Sequence, residues 1–253
     1  MDFLDAHVHL LGKKIFCQID ELRLNWLNNN IKQILHVSST LHESKISFES
    51  FKSYSEVLIG VGKHPWKIKQ TNEQEQKEFE ILIAKKECTA IGEVGLDYYA
   101  IKDNNRYAYQ KEWFKFFIEM SNKYKKPLNI HVTGAEQDIY DLLVKYWDKT
   151  SAANIHWYSG PTDTLKELID LGCYFSMNPA IHYSVRHQKA LSMIPIEKIL
   201  TESDGDVFYK RINLLGEPSI VTKVLDKICE LEKYDKVELT AIISKNFYKY
   251  LHN

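Results

Sequence analysis

About eight times along its 253 residues this chain passes from a short apolar run to an amphipathic one, and that alternation constrains the fold more than any other feature. A strand joined to the next strand through a helix pairs with it in parallel, because the crossover returns the chain to the same end of the sheet. The first strand-like run is Phe3-Leu4-Asp5, leading into His7 and His9. Others are Gln33 to Val37, Val57 to Gly62, Thr89 to Gly95, Pro127 to His131, Ala153 to His156, Cys173 to Met177 and Ile199 to Asp204. Helical spacing covers Ile19 to Asn29, about His42 to Tyr54, Glu73 to Lys86, Arg106 to Lys125, Ala135 to Trp147 and Thr164 to Leu171. A loop and short helix reach Met193, and helices over Ser219 to Leu231 and Val237 to Leu251 close the chain. The aromatic face of Trp113, Phe114 and Phe117 reads as core. This count predicts an α/β fold, a TIM-type (β/α)8 barrel forming a single domain over 1–253. A doubly wound open sheet is the alternative, which no Gly-x-Gly-x-x-Gly turn supports or excludes.

Composition bounds the function. The chain is 44% hydrophobic and 26% charged, with 33 Lys and Arg against 34 Asp and Glu, so no global positive field recruits nucleic acid and any phosphate binding must be local. The four cysteines, Cys17, Cys88, Cys173 and Cys229, lie far apart with no Cys-x-x-Cys pair, and read as buried free thiols. No apolar run is long enough to span a bilayer, and the first residues lack a basic region followed by an apolar core. The expectation is a cytoplasmic protein without a membrane or an obligate protein partner.

The strand ends carry the chemistry. His7 and His9 are two apart, so a strand sends both imidazoles to one face. Glu93, His131, His156 and Asp204 stand at the ends of the fourth, fifth, sixth and eighth strand-like runs. In a parallel barrel those ends share one rim, which brings distant residues to one mouth. Four imidazoles and two carboxylates exceed what one tetrahedral catalytic zinc needs, so two metals sharing a carboxylate is the natural inference, with Glu93 as the bridge. His36, His42, His182, His187 and His252 fit no ligand pattern.

These motifs resemble the successive signatures of the TatD family of metal-dependent hydrolases: Asp5-Ala6-His7-Val8-His9, Gly62-Lys63-His64-Pro65, Ile91-Gly92-Glu93-Val94-Gly95-Leu96-Asp97-Tyr98-Tyr99, Lys126-Pro127-Leu128-Asn129-Ile130-His131, His156-Trp157-Tyr158-Ser159-Gly160 and Leu200-Thr201-Glu202-Ser203-Asp204. The match runs nearly the whole chain, to Asn246-Phe247, and the Gly-Glu-Val-Gly-Leu-Asp-Tyr-Tyr run is its most specific piece. The resemblance implies an amidohydrolase-like barrel, two divalent ions (Mg, Mn or Zn) and deoxyribonuclease activity, often 3′ to 5′ exonuclease on single strands or DNA ends. It assigns His7, His9, Glu93 and Asp204 to one metal, and Glu93, His131 and His156 to the other. Glu93 and Asp204 are thus the expected catalytic carboxylates, with Asp204 orienting or deprotonating the attacking water.

Around them, Glu202 shares strand parity with Asp204 and is expected to fix an imidazole. His64 either donates to a substrate phosphate or shapes its loop. Tyr98, Tyr99, Trp157 and Tyr158 either stack on bases or pack the mouth. Two positions depart from the family pattern. Thr133 stands where the fifth-strand motif usually has arginine, and Gly205-Asp206 replaces a small residue and proline. Both touch the substrate shell and neither removes a ligand, so the rival reading is a metal-dependent hydrolase of a small amide, lactone or phosphoester. A metal-stabilised scaffold or nucleic-acid-binding module would bind metal without turnover.

Overall fold

In the computed structural model, which describes residues 1–252, eight parallel strands form one sheet in sequence order. They are β1 (Phe3–Val8), β2 (Ile31–His36), β3 (Val57–Val61), β4 (Cys88–Asp97), β5 (Leu128–Thr133), β6 (Ala153–His156), β7 (Tyr174–Met177) and β8 (Ile199–Thr201). The helices are α1 (Lys13–Phe16), α2 (Ile19–Asn28), α3 (Leu41–Ser50), α4 (Glu73–Ile83), α5 (Asn104–Tyr124), α6 (Glu136–Tyr146), α7 (Thr162–Leu171), α8 (Val185–Leu191), α9 (Val221–Glu232) and α10 (Lys236–His252). Each strand neighbours its successor in sequence, so the sheet curls into a nearly closed barrel. A doubly wound sheet would reverse its strand order at an internal point, and this one does not.

The seam between β8 and β1 is stitched by polar contacts. Thr201 Oγ1 donates to the Leu4 carbonyl (2.8 Å), Ser203 donates from its backbone N–H and Oγ to the two oxygens of Asp5 (3.0 and 2.6 Å), and the Asp204 N–H donates to the His7 carbonyl (3.0 Å). The same contacts that close the barrel therefore hold Asp204 against His7.

Two apolar clusters follow from the pleat, which sends alternate residues to opposite faces. The larger packs strand residues such as Ile34, Val61, Ile130, Ile155 and Phe175 against the helices. The smaller gathers Leu4, Ala6, Leu35, Val37, Ala90 and Leu200 inside the barrel with Phe247 and Tyr250 of α10. The Tyr250 hydroxyl donates to the carbonyl of Leu128, the first residue of β5, so α10 covers the end of the barrel opposite the site. Gly95 has φ +140°, and a Cβ there would collide with the His131 carbonyl oxygen; only glycine lets β4 lie this close to the His131 backbone.

Where the elements differ from expectation, local chemistry explains it. The last strand stops at Thr201 instead of Asp204, whose φ of +47° lies outside the extended region. Glu202 and Asp204 therefore reach the mouth from a loop, and strand parity does not relate them. β4 instead runs on to Asp97 through ladder pairs with β5. Helix α3 ends at Ser50, short of Tyr54, and Thr40 caps its start by accepting from the Glu43 N–H. Cys88 and Cys173 are buried free thiols, whereas Cys17 is exposed and Cys229 half-buried. Among the described residues no helix is long and apolar enough to cross a membrane.

The anchor of α5 is testable. Phe117 is fully buried, its ring centroid 5.4 Å from Phe79 and 5.7 Å from Trp113. Phe117→Ala is expected to lower unfolding stability by about 3–5 kcal/mol in urea titration, through lost burial and a residual cavity. A loss below about 1 kcal/mol would show that the cluster collapses around the gap or does not anchor the helix.

Candidate metal centre

Glu93 lies at the centre of the barrel mouth, with its two oxygens turned to different neighbours. Oε2 is 3.0 Å from His9 Nε2 and 4.0 Å from His7 Nε2. Oε1 is 3.0 Å from His131 Nδ1, 3.0 Å from His156 Nε2 and 3.4 Å from His64 Nε2. Asp204 Oδ1 closes the first group, 3.6 Å from His7 Nε2. All six residues expected at the centre thus converge, and all of them but the fully buried His7 line a cavity of ≈ 770 Å³ that also touches Thr133, Trp157 and His64.

The second nitrogen of each imidazole fixes which atom faces inward. The Asn129 amide N–H donates to the Ala6 carbonyl (2.8 Å), leaving its oxygen to accept from His7 Nδ1 (2.6 Å). Strands β1 and β5 are not neighbours in the sheet, so this bond crosses the lumen. It places the His7 proton on Nδ1 and the lone pair on Nε2, a buried atom without a hydrogen-bond partner. His131 Nε2 donates to Asp97 Oδ2 (3.0 Å), which turns its lone pair at Nδ1 toward Glu93. His156 Nδ1 faces Glu202 Oε1 at 3.4 Å. Glu202 is itself held by Ser176 Oγ and by Asn178 Nδ2 (3.1 Å). His9 Nδ1 lies 3.3 Å from Ser39 Oγ.

Lone pairs of His7 and His131 are therefore aimed at carboxylate oxygens, acceptor against acceptor, while His156 Nε2 faces Glu93 and its Nδ1 has no hydrogen-bond partner. Protons on all of them would set cation beside cation, since the His7 and His156 rings stack at 4.0 Å and those of His131 and His156 lie 5.5 Å apart. A divalent ion satisfies nitrogen and carboxylate together, and the donor set fits one. Three groups bring ligand atoms within 4.8 Å of one another: His7, His9 and Asp204; His7, His156 and Glu202; His64, Glu93 and His131. His64 is set apart by its tautomer. Its Nδ1 accepts from the Trp66 N–H (3.1 Å), so the proton sits on Nε2 and points at Glu93.

Electrostatics divides the imidazoles: burial opposes their charge, yet Asp97 and Glu93 raise His131, and Glu202 and Glu93 raise His156 well above the ordinary value, so a bound cation would have to displace those protons. Burial opposes the charge of Glu93, but His64, His131 and His156 hold its carboxyl well below the usual range. Burial lowers His7 well below the ordinary imidazole value, and the neighbouring His156 adds to that. Burial pushes the Asp204 carboxyl up to about 7.

Other expected residues divide. Trp157 lines the cavity, 5.8 Å from Tyr209. Tyr98 does not line it: the ring packs edge-on against Tyr107 at 4.9 Å, while the next residue, Tyr99, faces the cavity. Tyr158 is fully buried and donates to the Pro161 carbonyl (2.6 Å), a packing role. His36, which fits no ligand pattern in the sequence, lies along the cavity wall. Its Nδ1 accepts from the Leu10 N–H (3.2 Å), and burial lowers its pKa to about 3.

Several supporting residues escaped the sequence reading. Asp97 orients His131 and accepts from the Trp66 indole N–H (2.7 Å), Asn129 orients His7, and Asp5 ties the seam. Spacing carries a partial signal for two of them. Asn129 stands two residues before His131, and Asp97 four after Glu93, so each shares a nominal strand face with a candidate ligand.

An eightfold parallel barrel whose C-terminal mouth gathers buried imidazoles and carboxylates defines a metal-dependent hydrolase. The TatD related DNase family model matches residues 4–252. The chain belongs to the TatD family. It is 27% identical over 249 residues to an uncharacterized metal-dependent hydrolase of Methanocaldococcus jannaschii, covering 98% of this chain and 96% of that one. With the metal-dependent hydrolase YcfH of Escherichia coli the identity is 23% over 259 residues, covering 100% and 96%. Among solved structures, the TatD homologue YjjV of Escherichia coli superposes with a TM-score of 0.90 at 16% identity, over 99% of this chain and 98% of that one. The phosphotriesterase homology protein of the same organism, with phosphate in its active site, gives 0.72 at 12% identity over 99% of both chains.

Proposed function

We propose that the protein is a deoxyribonuclease, hydrolysing phosphodiester bonds from a 3′ end at a two-metal centre. The observation that carries this reading is the two-sided Glu93 carboxylate, one oxygen 3.0 Å from His9 and the other 3.0 Å from both His131 and His156. His7, His9, Glu93 and Asp204 would hold one divalent ion, and Glu93, His131 and His156 the other. Mixed imidazole and carboxylate donors suit Zn or Mn better than Mg. When bound, the ions supply charge that polarises the phosphoryl group and makes water acidic enough to ionise near neutral pH.

The chain's own groups do the rest. Asp204, in the cavity wall beside His7, orients the attacking water and accepts its proton at a carboxylate oxygen. Asp97 and Asn129 keep His131 and His7 in their inward-facing tautomers, and Glu202 lies beside His156 Nδ1. His64, whose Nε2–H points at Glu93, would donate to a phosphate oxygen bound there. The test is metal-loaded protein against end-labelled single-stranded DNA beside a panel of phosphoesters, amides and lactones. Stepwise release of nucleotides from the 3′ end is expected. Turnover of an amide or lactone with no phosphodiester cleavage would overturn the reading.

One observation favours the small-substrate reading. Thr133 lies at the cavity wall, its Oγ1 3.4 Å from His131 Nε2, and offers a short neutral hydroxyl where a forked guanidinium would hold two phosphate oxygens. A charge-assisted hydrogen bond contributes on the order of 1.5–3 kcal/mol, so Thr133→Arg is expected to lower the KM for single-stranded DNA by roughly ten-fold to a hundred-fold at low salt. Metal content should be unchanged. If wild type already cleaves DNA efficiently and the variant gains nothing, Thr133 does not set substrate choice.

A further inference from the structure

The wall of the central cavity is acidic, with Glu43, Glu93, Asp97, Asp204 and Asp206, and among the described residues Lys67 is the one Lys or Arg that lines it. Lys63, Arg186, Lys210 and Arg211 do not. The Lys63 ammonium is buried in an ion pair with Glu75 (2.5 Å) and lies over the Trp113 ring (4.3 Å), and the Arg211 guanidinium sits over Tyr183 (5.2 Å). Lys67 also lines an adjoining pocket of ≈ 330 Å³ with Lys63, Lys69 and Glu75. Glu75 is matched to Lys63, while Lys67 and Lys69 are exposed and make no ion pair among the described residues. A chain of net charge −1 thus keeps two cations without an ion pair near its centre, Lys67 at the cavity wall and Lys69 in the adjoining pocket.

The segment carrying them is fastened. After β3, the residues Pro65–Lys67 form a single 3-10 turn, and buried Ile68 pins its far side. Arg106 of α5 donates to the carbonyls of Trp66 (3.2 Å) and Ile68 (3.2 Å), and the Trp113 indole donates to that of Gln70 (3.0 Å). Trp66 is 51% exposed, yet its indole N–H is held by Asp97, the carboxylate that also holds His131. Its ring centroid is 6.2 Å from that of His131. A large aromatic face, fixed in direction and left open to solvent beside the centre, is a stacking platform.

We infer that Trp66, Lys67 and Lys69 form a track for a single-stranded polynucleotide, with a base stacked on Trp66 next to the metal centre and the following phosphates against Lys67 and Lys69. The track rests on the nuclease reading and extends it to a substrate of several nucleotides, with positive charge entering from the loop after β3 instead of from position 133. These are positioning residues, acting on the strand beyond the scissile bond.

The test is fluorescence anisotropy of metal-loaded protein with a labelled, cleavage-resistant phosphorothioate oligothymidylate of about eight nucleotides over a salt series, matching the ~4–16 nucleotides that single-strand grooves cover. In K67A/K69A, the slope of log affinity against log salt is expected to flatten by about 1.4, since each single-strand phosphate contact contributes about 0.7. Trp66→Ala is expected to weaken binding by about 5-fold to 100-fold, the range for one stacked base, and Trp66→Phe to restore most of it. Neither Trp66 variant should alter binding of an abasic oligonucleotide of equal length. An unchanged salt slope in the double variant, equal weakening of abasic and thymidine strands by Trp66→Ala, or no wild-type binding of either strand would overturn the track. Wild-type binding with these features but no cleavage of the unmodified strand would support the track and overturn the nuclease reading.

Discussion

Glu93→Ala is expected to lose both metal ions, not one. Its two oxygens face separate imidazole groups, so removing the carboxylate takes a shared ligand from each side. Loss of a group that merely orients a ligand costs about 10–100-fold in metal affinity, so removal of a shared ligand should exceed about a hundred-fold for both ions. His9→Ala and His131→Ala supply the contrast, because each touches one side. Elemental analysis and titration should give about two ions per wild-type chain, about one in each histidine variant, and none held tightly in Glu93→Ala. Unchanged stoichiometry and affinity in Glu93→Ala would remove the bridge. A single ion in wild type, lost equally in either histidine variant, would reduce the centre to one metal.

Asp204→Asn should leave a folded and nearly inactive protein. Asparagine is nearly the same size, tolerates the left-handed φ of +47° and keeps the backbone bond to the His7 carbonyl. Burial already disfavours a charge at this position, so a neutral amide removes a burden from the fold. The amide is a poor metal ligand and no proton acceptor. Turnover on the best substrate is expected to fall by about 10²–10⁴-fold, the usual span for a lost general base. Circular dichroism should match wild type, and the thermal midpoint of chelator-treated protein should equal or exceed it. Chelation should abolish wild-type hydrolysis, and added divalent ions should restore it. Wild-type turnover in Asp204→Asn would end its catalytic role.

Local chemistry carries some of these features and barrel closure carries others. The Ile130, His131, Val132 alternation shows from spacing alone that His131 faces away from its apolar neighbours, because the strand period is two. That period fails wherever the ladder is irregular. Asp5 and His7 are two apart in β1, yet the pairing with β2 shifts between Asp5 and Val8, and Asp5 turns to Ser203 in the seam while His7 reaches Asn129 across the lumen. Glu202 and Asp204 reach the mouth from a loop, where strand parity has no meaning.

The sequence by itself determined the order of elements, the parallel sheet, the strand-end position of the imidazoles and the carboxylate among them, since each follows from residue type and short-range period. Only the tertiary structure decided which atoms meet. Glu93 finds His9 on one side and His131 with His156 on the other, Asp97 joins Trp66 to His131, and Lys63 is spent on Glu75 while Lys67 is left free at the mouth. These meetings, and that of Asp204 with His7 about two hundred positions away, depend on curvature, register shifts and loop conformations that are set when the barrel closes.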